Sequence, residues 1–373
     1  MFFYSFTQID LGLTLSRISI WQTAERFFKN IGYFQRPFSS LLFTLIILLL
    51  FTFYLLILNA VRKKTISKRT VLTLIIATSV ILAFSYNAFS YDFFNYIFDA
   101  KIIIHYQQNP YLHKALDFPG DPMLSFMHWT QRLYPYGPIW LGITVPLSFL
   151  GMQLFLPTFF LFKIMISACF LGTAFFIGKI LHKSSPENEL FGVAFFALNP
   201  LVIIESLVSA HNDTAMMFLA LWGLYLLMSM KNVRSIILLI LSIGVKFATA
   251  MVLPVYLWIQ YLQKQKKNIN WQIAFTAITG LMIVPVVLAT FRTNFQPWYL
   301  LDILAFAALV SKNYYIIIPS LIISFFAIFE YLPFLYTGNW NNPIPLILFW
   351  MTIGAVFLSF LLTLAWRFKK VLR

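Results

Sequence analysis

Apolar stretches long enough to cross a hydrocarbon layer recur along the whole sequence. Phe38 to Ala60, Val71 to Ser90 and Ile344 to Trp366 are examples. Each reaches the roughly 20 residues that a helix needs to cross a core about 30 Å thick. Inside hydrocarbon every backbone N–H and C=O needs an internal partner, so only helices and closed barrels can span it. The sequence lacks the ten-residue alternating segments of a barrel, which leaves helices. Composition agrees: of 373 residues, 60% are hydrophobic and 10% charged, against about a quarter charged in soluble domains. The expected fold is all-α: a polytopic transmembrane bundle of about 10–12 spans forming one membrane domain over 38–373. Residues 1–37 are expected to lie along the interface.

A formal net charge of +15 raises the question of nucleic acid, and the positions of the cations answer it. Arg62, Lys63, Lys64, Lys68 and Arg69 form one group, Lys264, Lys266 and Lys267 a second, and Arg367, Lys369, Lys370 and Arg373 a third. Short basic connectors between apolar spans are what the positive-inside rule produces, so these are read as cytoplasmic and no nucleic-acid partner is expected. The N-terminus has no basic region followed by an apolar stretch and a small-residue cleavage site, so no removed signal peptide is expected. Cys169 is the only cysteine, which excludes an internal disulfide and a multi-cysteine zinc site.

With the connector 62–69 cytoplasmic, the following span delivers Tyr91 and Asp92 to the opposite surface. Residues 92–138 are then a large extracytoplasmic loop carrying short interfacial helices. Asn109-Pro110-Tyr111, Pro119-Gly120-Asp121-Pro122 and Tyr134-Pro135-Tyr136-Gly137-Pro138 punctuate it. Keeping Lys179 and Lys183 cytoplasmic requires the short stretch 138–152 to dip in and return. The run 235–262 would measure about 40 Å as one straight helix, longer than the core. With Gly244 and Pro254 inside it, a broken or re-entrant pair is expected.

Ionisable residues in or near spans cost a few kcal/mol when they face lipid, so each is a functional candidate. Asp92 opens the loop and Asp99 lies seven residues on, on one face if the stretch is helical. A carboxylate at the membrane surface suits a general base; equally, it suits an N-terminal acid that stabilises a helix dipole. His211-Asn212-Asp213 forms a tight polar turn able to hydrogen-bond a sugar or phosphate, or simply to cap the next helix. No metal site is predicted, because His plus Asp supplies too few ligands. Lys246 sits among apolar residues about 17 Å along its helix, which favours a partner anion, phosphate by preference, over snorkelling. Arg132, Arg292, Gln296 and Tyr299 fall on the same predicted side, where Trp298 and Tyr299 also fit interfacial anchors.

The order of these features resembles the GT-C glycosyltransferases, multi-span enzymes that use polyprenyl-phosphate-linked sugars. The resemblance runs from Tyr91 to Tyr299 through Tyr91-Asp92 with Tyr96 and Ala100, Asn109-Pro110-Tyr111, Tyr134-Pro135-Tyr136-Gly137-Pro138-Ile139-Trp140, Asn199-Pro200-Leu201, His211-Asn212-Asp213, Lys246 with Pro254, and Pro297-Trp298-Tyr299. It is nearest to the bacterial polyprenyl-phosphate-mannose transferases and the first mannosyltransferase of GPI-anchor assembly. The latter carries Asp-x-Asp in its first lumenal loop; here Phe94 takes the second acidic position in Asp92-Phe93-Phe94-Asn95.

The resemblance implies inverting transfer of a hexose, mannose by preference, to a lipid, glycan or protein acceptor at the extracytoplasmic face of a bacterial or archaeal plasma membrane, without a cofactor. It implies Asp92 as general base, with Asp99 as the alternative acid. Lys246, helped by Arg132 or Arg292, would stabilise the leaving phosphate. His211 and Asp213 would orient sugar or phosphate, and aromatic residues of the 134–140 stretch, Tyr136 among them, would floor the sugar. A transporter or flippase of a lipid-linked sugar is the rival. It predicts an internal repeat with matched midplane charges, and no repeat is visible. A scaffold without an active site leaves Lys246 and the 211–213 turn unexplained.

Overall fold

The computed structural model describes residues 1–371, with side chains to Phe368. Arg373 and the side chains of Lys369 and Lys370, part of the third basic group, lie outside the described residues. Regular structure among the described residues is entirely helical. The N-terminal part contains α1 (Phe2–Ser5), α2 (Ser19–Lys29), α3 (Arg36–Arg62), α4 (Lys68–Ala83), α5 (Asp92–Ile104) and α6 (Pro138–Leu150). The middle contains α7 (Phe155–Ser184), α8 (Glu189–Ala197), α9 (Pro200–Ile203), α10 (Asp213–Met228), α11 (Asn232–Val245) and α12 (Leu253–Lys264). The last part contains α13 (Trp271–Leu281), α14 (Ile283–Thr293), α15 (Leu300–Ala307), α16 (Tyr314–Ile328), α17 (Leu332–Thr337) and α18 (Ile344–Val371).

Five continuous helical segments are long and apolar enough to cross a membrane: 36–62, 155–184, 271–293, 314–337 and 344–368. The pair 186–197 and 200–208, bent by 55°, makes up to six. The all-α polytopic bundle expected from the sequence is present. The remaining apolar runs are broken into shorter helices, including α6, α10, α11 and the segment 297–310. Outward faces show what the bundle is dissolved in. Leu49, Phe53, Phe349, Trp350, Phe357 and Phe360 are each more than half exposed. So continuous an apolar belt is compatible with lipid and not with water. This is a multi-pass membrane protein.

The long helices give the bundle two ends. Over its 27 residues α3 runs about 40 Å, from Ser39, where Tyr4 donates to the backbone carbonyl at 3.2 Å, to Arg62. Around Arg62 gather the basic termini: Lys68 pairs with Glu189, Lys312 with Glu187, and Lys183 donates to Ser229 Oγ at 2.6 Å. Gln263, next to Lys264, donates to the Leu227 carbonyl at 2.8 Å. The connectors singled out by charge thus collect at one end, and Asp92 stands at the other.

Two irregular stretches follow from their sequences. Helix α6 starts and stops at the Asp92 end: Gly137 N–H donates to Val245 O at 3.1 Å, and beyond its last turn Gln153 meets His105. The run 235–262 is broken at Lys246, whose backbone is extended (φ −156°, ψ 134°). α11 rises to that point, and α12 returns to the basic end. Serine hydroxyls hold α11 against α10, Ser242 donating to Met216 O and Ser235 to Gly223 O, both at 2.8 Å. Such bonds stand in for the hydrophobic drive that lipid does not supply between helices.

The N-terminal segment is anchored in the bundle. Tyr4 to Thr7 and Ile9 are buried, and the Tyr86 N–H donates to Ser5 Oγ at 3.0 Å. Helix α2 keeps Ile20 and Phe27 exposed.

Backbone contact between α6 and the break at Lys246 depends on two glycines. A Cβ on Gly137 would lie 2.1 Å from the Gly244 carbonyl oxygen, and one on Gly244 would lie 2.4 Å from Ile139. Gly137→Ala is therefore expected to force α6 away from Lys246 and lower stability by about 1–3 kcal/mol. A thermal melt of the purified protein in detergent tests this; an unchanged midpoint would show that the contact is not needed.

Candidate active site

Asp92 is the first residue of α5 and is half-buried. The dipole of α5 favours its charge there, and its side chain faces a cleft. Helical spacing does bring Asp92, Asn95 and Asp99 to that one cleft, whose other wall is the segment Met127–Tyr136, including Trp129, Arg132 and Tyr136. The Arg132 guanidinium sits 4.0 Å over the Trp129 ring, exposed and without a carboxylate partner among the described residues. Crowding by neighbouring atoms, and secondarily the charge of Asp92, push the Asp99 carboxyl well above the usual carboxylate range.

The loop that forms the cleft wall is held by its own motifs. Asp121 receives the Tyr106 hydroxyl at 2.7 Å and the Met123 N–H at 2.9 Å, and pairs with Lys101. Burial opposes its charge, but these donors more than offset it and hold the carboxyl below its usual range. Asn109-Pro110-Tyr111 meets Tyr134-Pro135-Tyr136 directly. The Tyr134 N–H donates to Pro110 O at 3.1 Å, and the Tyr111 hydroxyl to Tyr136 O at 3.2 Å. Edge-on rings continue inward from Tyr134 to Tyr136, Tyr96 and Trp140, with centroids 5.1–5.5 Å apart.

A second polar group lies behind this aromatic wall. Lys246 Nζ donates to Asp213 Oδ1 at 2.6 Å and stands 5.5 Å over the Tyr299 ring. Asp302 faces both Asp213 and Lys246. Lys246 therefore has the anion its burial called for, and the anion is a protein carboxylate. Asp213 heads α10, yet its side chain reaches Lys246 and makes no cap bond. His211 stacks on Trp298 at 4.2 Å and comes within 3.3 Å of Glu205 Oε2, without hydrogen-bond alignment. Glu205 accepts from the Tyr331 hydroxyl at 2.9 Å.

The two groups meet at Tyr96. Its hydroxyl feels the charges of both Asp92 and Asp213 and interacts with the Tyr136 hydroxyl, and the Asn212 N–H points to it at 3.5 Å. Buried polar atoms without a protein partner concentrate here. Of eighteen, eight belong to residues 205–214, among them both ends of the Asn212 amide and Asp213 Oδ2. Native interiors leave few such atoms unmatched, so this density marks a place built to meet polar ligand or water.

The structure thus joins Asp92, Asp99, Arg132 and Tyr136 in one group, and His211, Asp213, Lys246 and Tyr299 in the adjoining one. Gln296 precedes the turn that carries Trp298 and Tyr299, and its side chain meets none of these groups. Arg292 is exposed at the end of α14 and makes no ion pair among the described residues. Asp302 and Tyr331 complete the wall and were not anticipated. Asp302 carried the same signal as Lys246, an ionisable side chain inside an apolar run; Tyr331 carried none. No cluster of three metal-ligating side chains occurs among the described residues.

The structure is that of a helical multi-pass membrane protein with a carboxylate-rich polar site, among the described residues, at the end opposite its basic connectors. The chain belongs to the MptA/B family, described as alpha-(1→6)-mannopyranosyltransferase, N-terminal domain, which matches residues 7–262, more than half its length. That interval contains Asp92, His211, Asp213 and Lys246. The chain is 29% identical over 157 residues to alpha-(1→6)-mannopyranosyltransferase A of Corynebacterium glutamicum, covering 40% of this chain and 31% of that protein. It is 33% identical over 93 residues to the protein of the same name from Mycobacterium tuberculosis, covering 24% and 18%. The chain thus spans less than a third of the length of either relative. No solved structure matches it.

Removing Lys246 would leave Asp213 and Asp302 facing each other uncompensated. Lys246→Met is expected to cost about 3–5 kcal/mol, and adding Asp213→Asn to recover part of that loss. A double-mutant thermal-unfolding cycle reads the coupling; additive losses would mean the pair is not linked.

Proposed function

We propose that this chain transfers a mannosyl residue from a polyprenyl-phosphate donor to a mannose 6-hydroxyl of a lipid-linked or glycan acceptor, at the extracytoplasmic end of the bundle. Convergence of the Asp92 cleft with the buried Asp213–Lys246 group through Tyr96 carries this reading. Membership of the mannopyranosyltransferase family supports the sugar and the linkage. Collection of the basic connectors at the opposite end supports the side.

In this reading Asp92 accepts the proton of the acceptor hydroxyl as its oxygen attacks the anomeric carbon. The bond from that carbon to the phosphate oxygen breaks, and the phosphate leaves with the electron pair. One displacement inverts the anomeric centre without a covalent intermediate. Arg132, exposed in the same cleft and unpaired, is placed to meet the phosphate with its planar fork. Lys246, held in place by Asp213, adds its positive charge to the side of the site that receives the phosphate. Asp99 lines the same cleft beside the base, placed to orient sugar or phosphate. Tyr136 lines the cleft with a ring suited to a sugar, and buried Tyr96 backs it.

Asp92→Asn is expected to lower mannosyl transfer by about 10²–10⁴-fold, the usual worth of a general base, with donor affinity kept. Asp99→Asn is expected to cost less. Purified protein in lipid, given labelled polyprenyl-phosphate mannose and a membrane extract, measures both. Normal transfer by the Asp92 variant would remove the assignment and move it to Asp99.

A further inference from the structure

A cavity of 530 Å³ lies at the basic end, remote from Asp92. It is within the size range of small-molecule sites. Three cations line it, Arg62, Lys64 and Lys312, against the single carboxylate of Glu187, with Phe191 and Tyr314 as its aromatic wall. Lys312 pairs with Glu187, which leaves Arg62 and Lys64 without a carboxylate among the described residues. The Arg62 guanidinium lies over two rings, 4.5 Å from the Phe191 centroid and 5.2 Å from that of Tyr314. Tyr314 is itself braced by Trp366, stacked at 4.5 Å. A guanidinium held by rings and not by a carboxylate has N–H groups to spare, and these match phosphate oxygens two at a time.

The location selects among phosphates. The cavity opens where two spanning helices, α3 and α16, reach the basic end, and α3 turns to lipid an outer face that is apolar apart from Thr52 and Asn59. A ligand with its phosphate at this level and hydrocarbon running along the helices satisfies both halves of the lining.

We propose that this cavity binds the phosphate headgroup of an anionic membrane lipid, at a site separate from the Asp92 centre. The proposal does not depend on the transferase reading, since it rests on the opposite end of the bundle.

Native mass spectrometry of the full chain with equal phosphatidylglycerol and phosphatidylcholine of the same acyl chains tests it. The expected result is retention of phosphatidylglycerol about fivefold or more over phosphatidylcholine, with Arg62→Gln and Lys64→Gln each cutting that preference about fivefold. Lys64 is exposed, so its variant reports even if Arg62→Gln fails to fold. Equal retention of the two lipids, or a preference untouched by Lys64→Gln, overturns the site. So does an equal loss in Lys266→Gln, at the same end but outside the cavity, because binding would then be diffuse surface charge. Displacement of the lipid by equimolar glycerol 3-phosphate would overturn the lipid assignment and leave a soluble phosphate as the ligand.

Discussion

The buried ion pair between Lys246 and Asp213 fixes where everything else at the Asp92 end must sit. Neither charge is tolerable alone at that depth, because taking an ion out of water costs several kcal/mol unless a partner restores it. Lys246 is available only because the chain breaks there into extended backbone; Asp213 is available only because α10 begins there. Pairing them at 2.6 Å fixes the top of α10 against the reversal between α11 and α12. Asp302 brings α15 to the same point. α6 follows through the close passage of Gly137 over Gly244, carrying the Tyr134–Trp140 stretch with it.

Rigidity behind the site contrasts with its accessible front. Lys163, 1% exposed in α7, donates to Val208 O at 3.1 Å and also reaches Leu207 O, just before the His211 turn. The turn is therefore clamped from below while its own side chains keep unmatched polar atoms. The front wall, residues 127–136, is a loop stapled mainly through Asp121 and the two aromatic motifs. The cleft between them thus has fixed charges on one side and a stapled loop on the other.

Much of this was legible in the sequence for a simple reason: in lipid, polar residues are rare, and each one is informative. Asp92 and Asp99 at a spacing of seven, the dip of 138–152 and the break within 235–262 all followed from charge placement and helix length. Which apolar runs stay continuous did not, because several of them break into shorter helices at positions that composition does not mark. Asp302 and Lys163 stood in apolar runs and could have been singled out by the argument applied to Lys246. Their partners, Asp213 and two backbone carbonyls, come from distant segments that no local pattern connects. The pairing of Lys246 with Asp213 was hidden for the same reason.

The most direct test of the account is a donor-consumption assay on the purified wild-type protein in sealed vesicles, with labelled polyprenyl-phosphate mannose on one leaflet and a mannoside acceptor outside. The account predicts loss of the label from the lipid and its appearance on the acceptor in an alpha-(1→6) linkage. Label that stays on the lipid and changes leaflet would contradict it and make the protein a carrier of lipid-linked sugar.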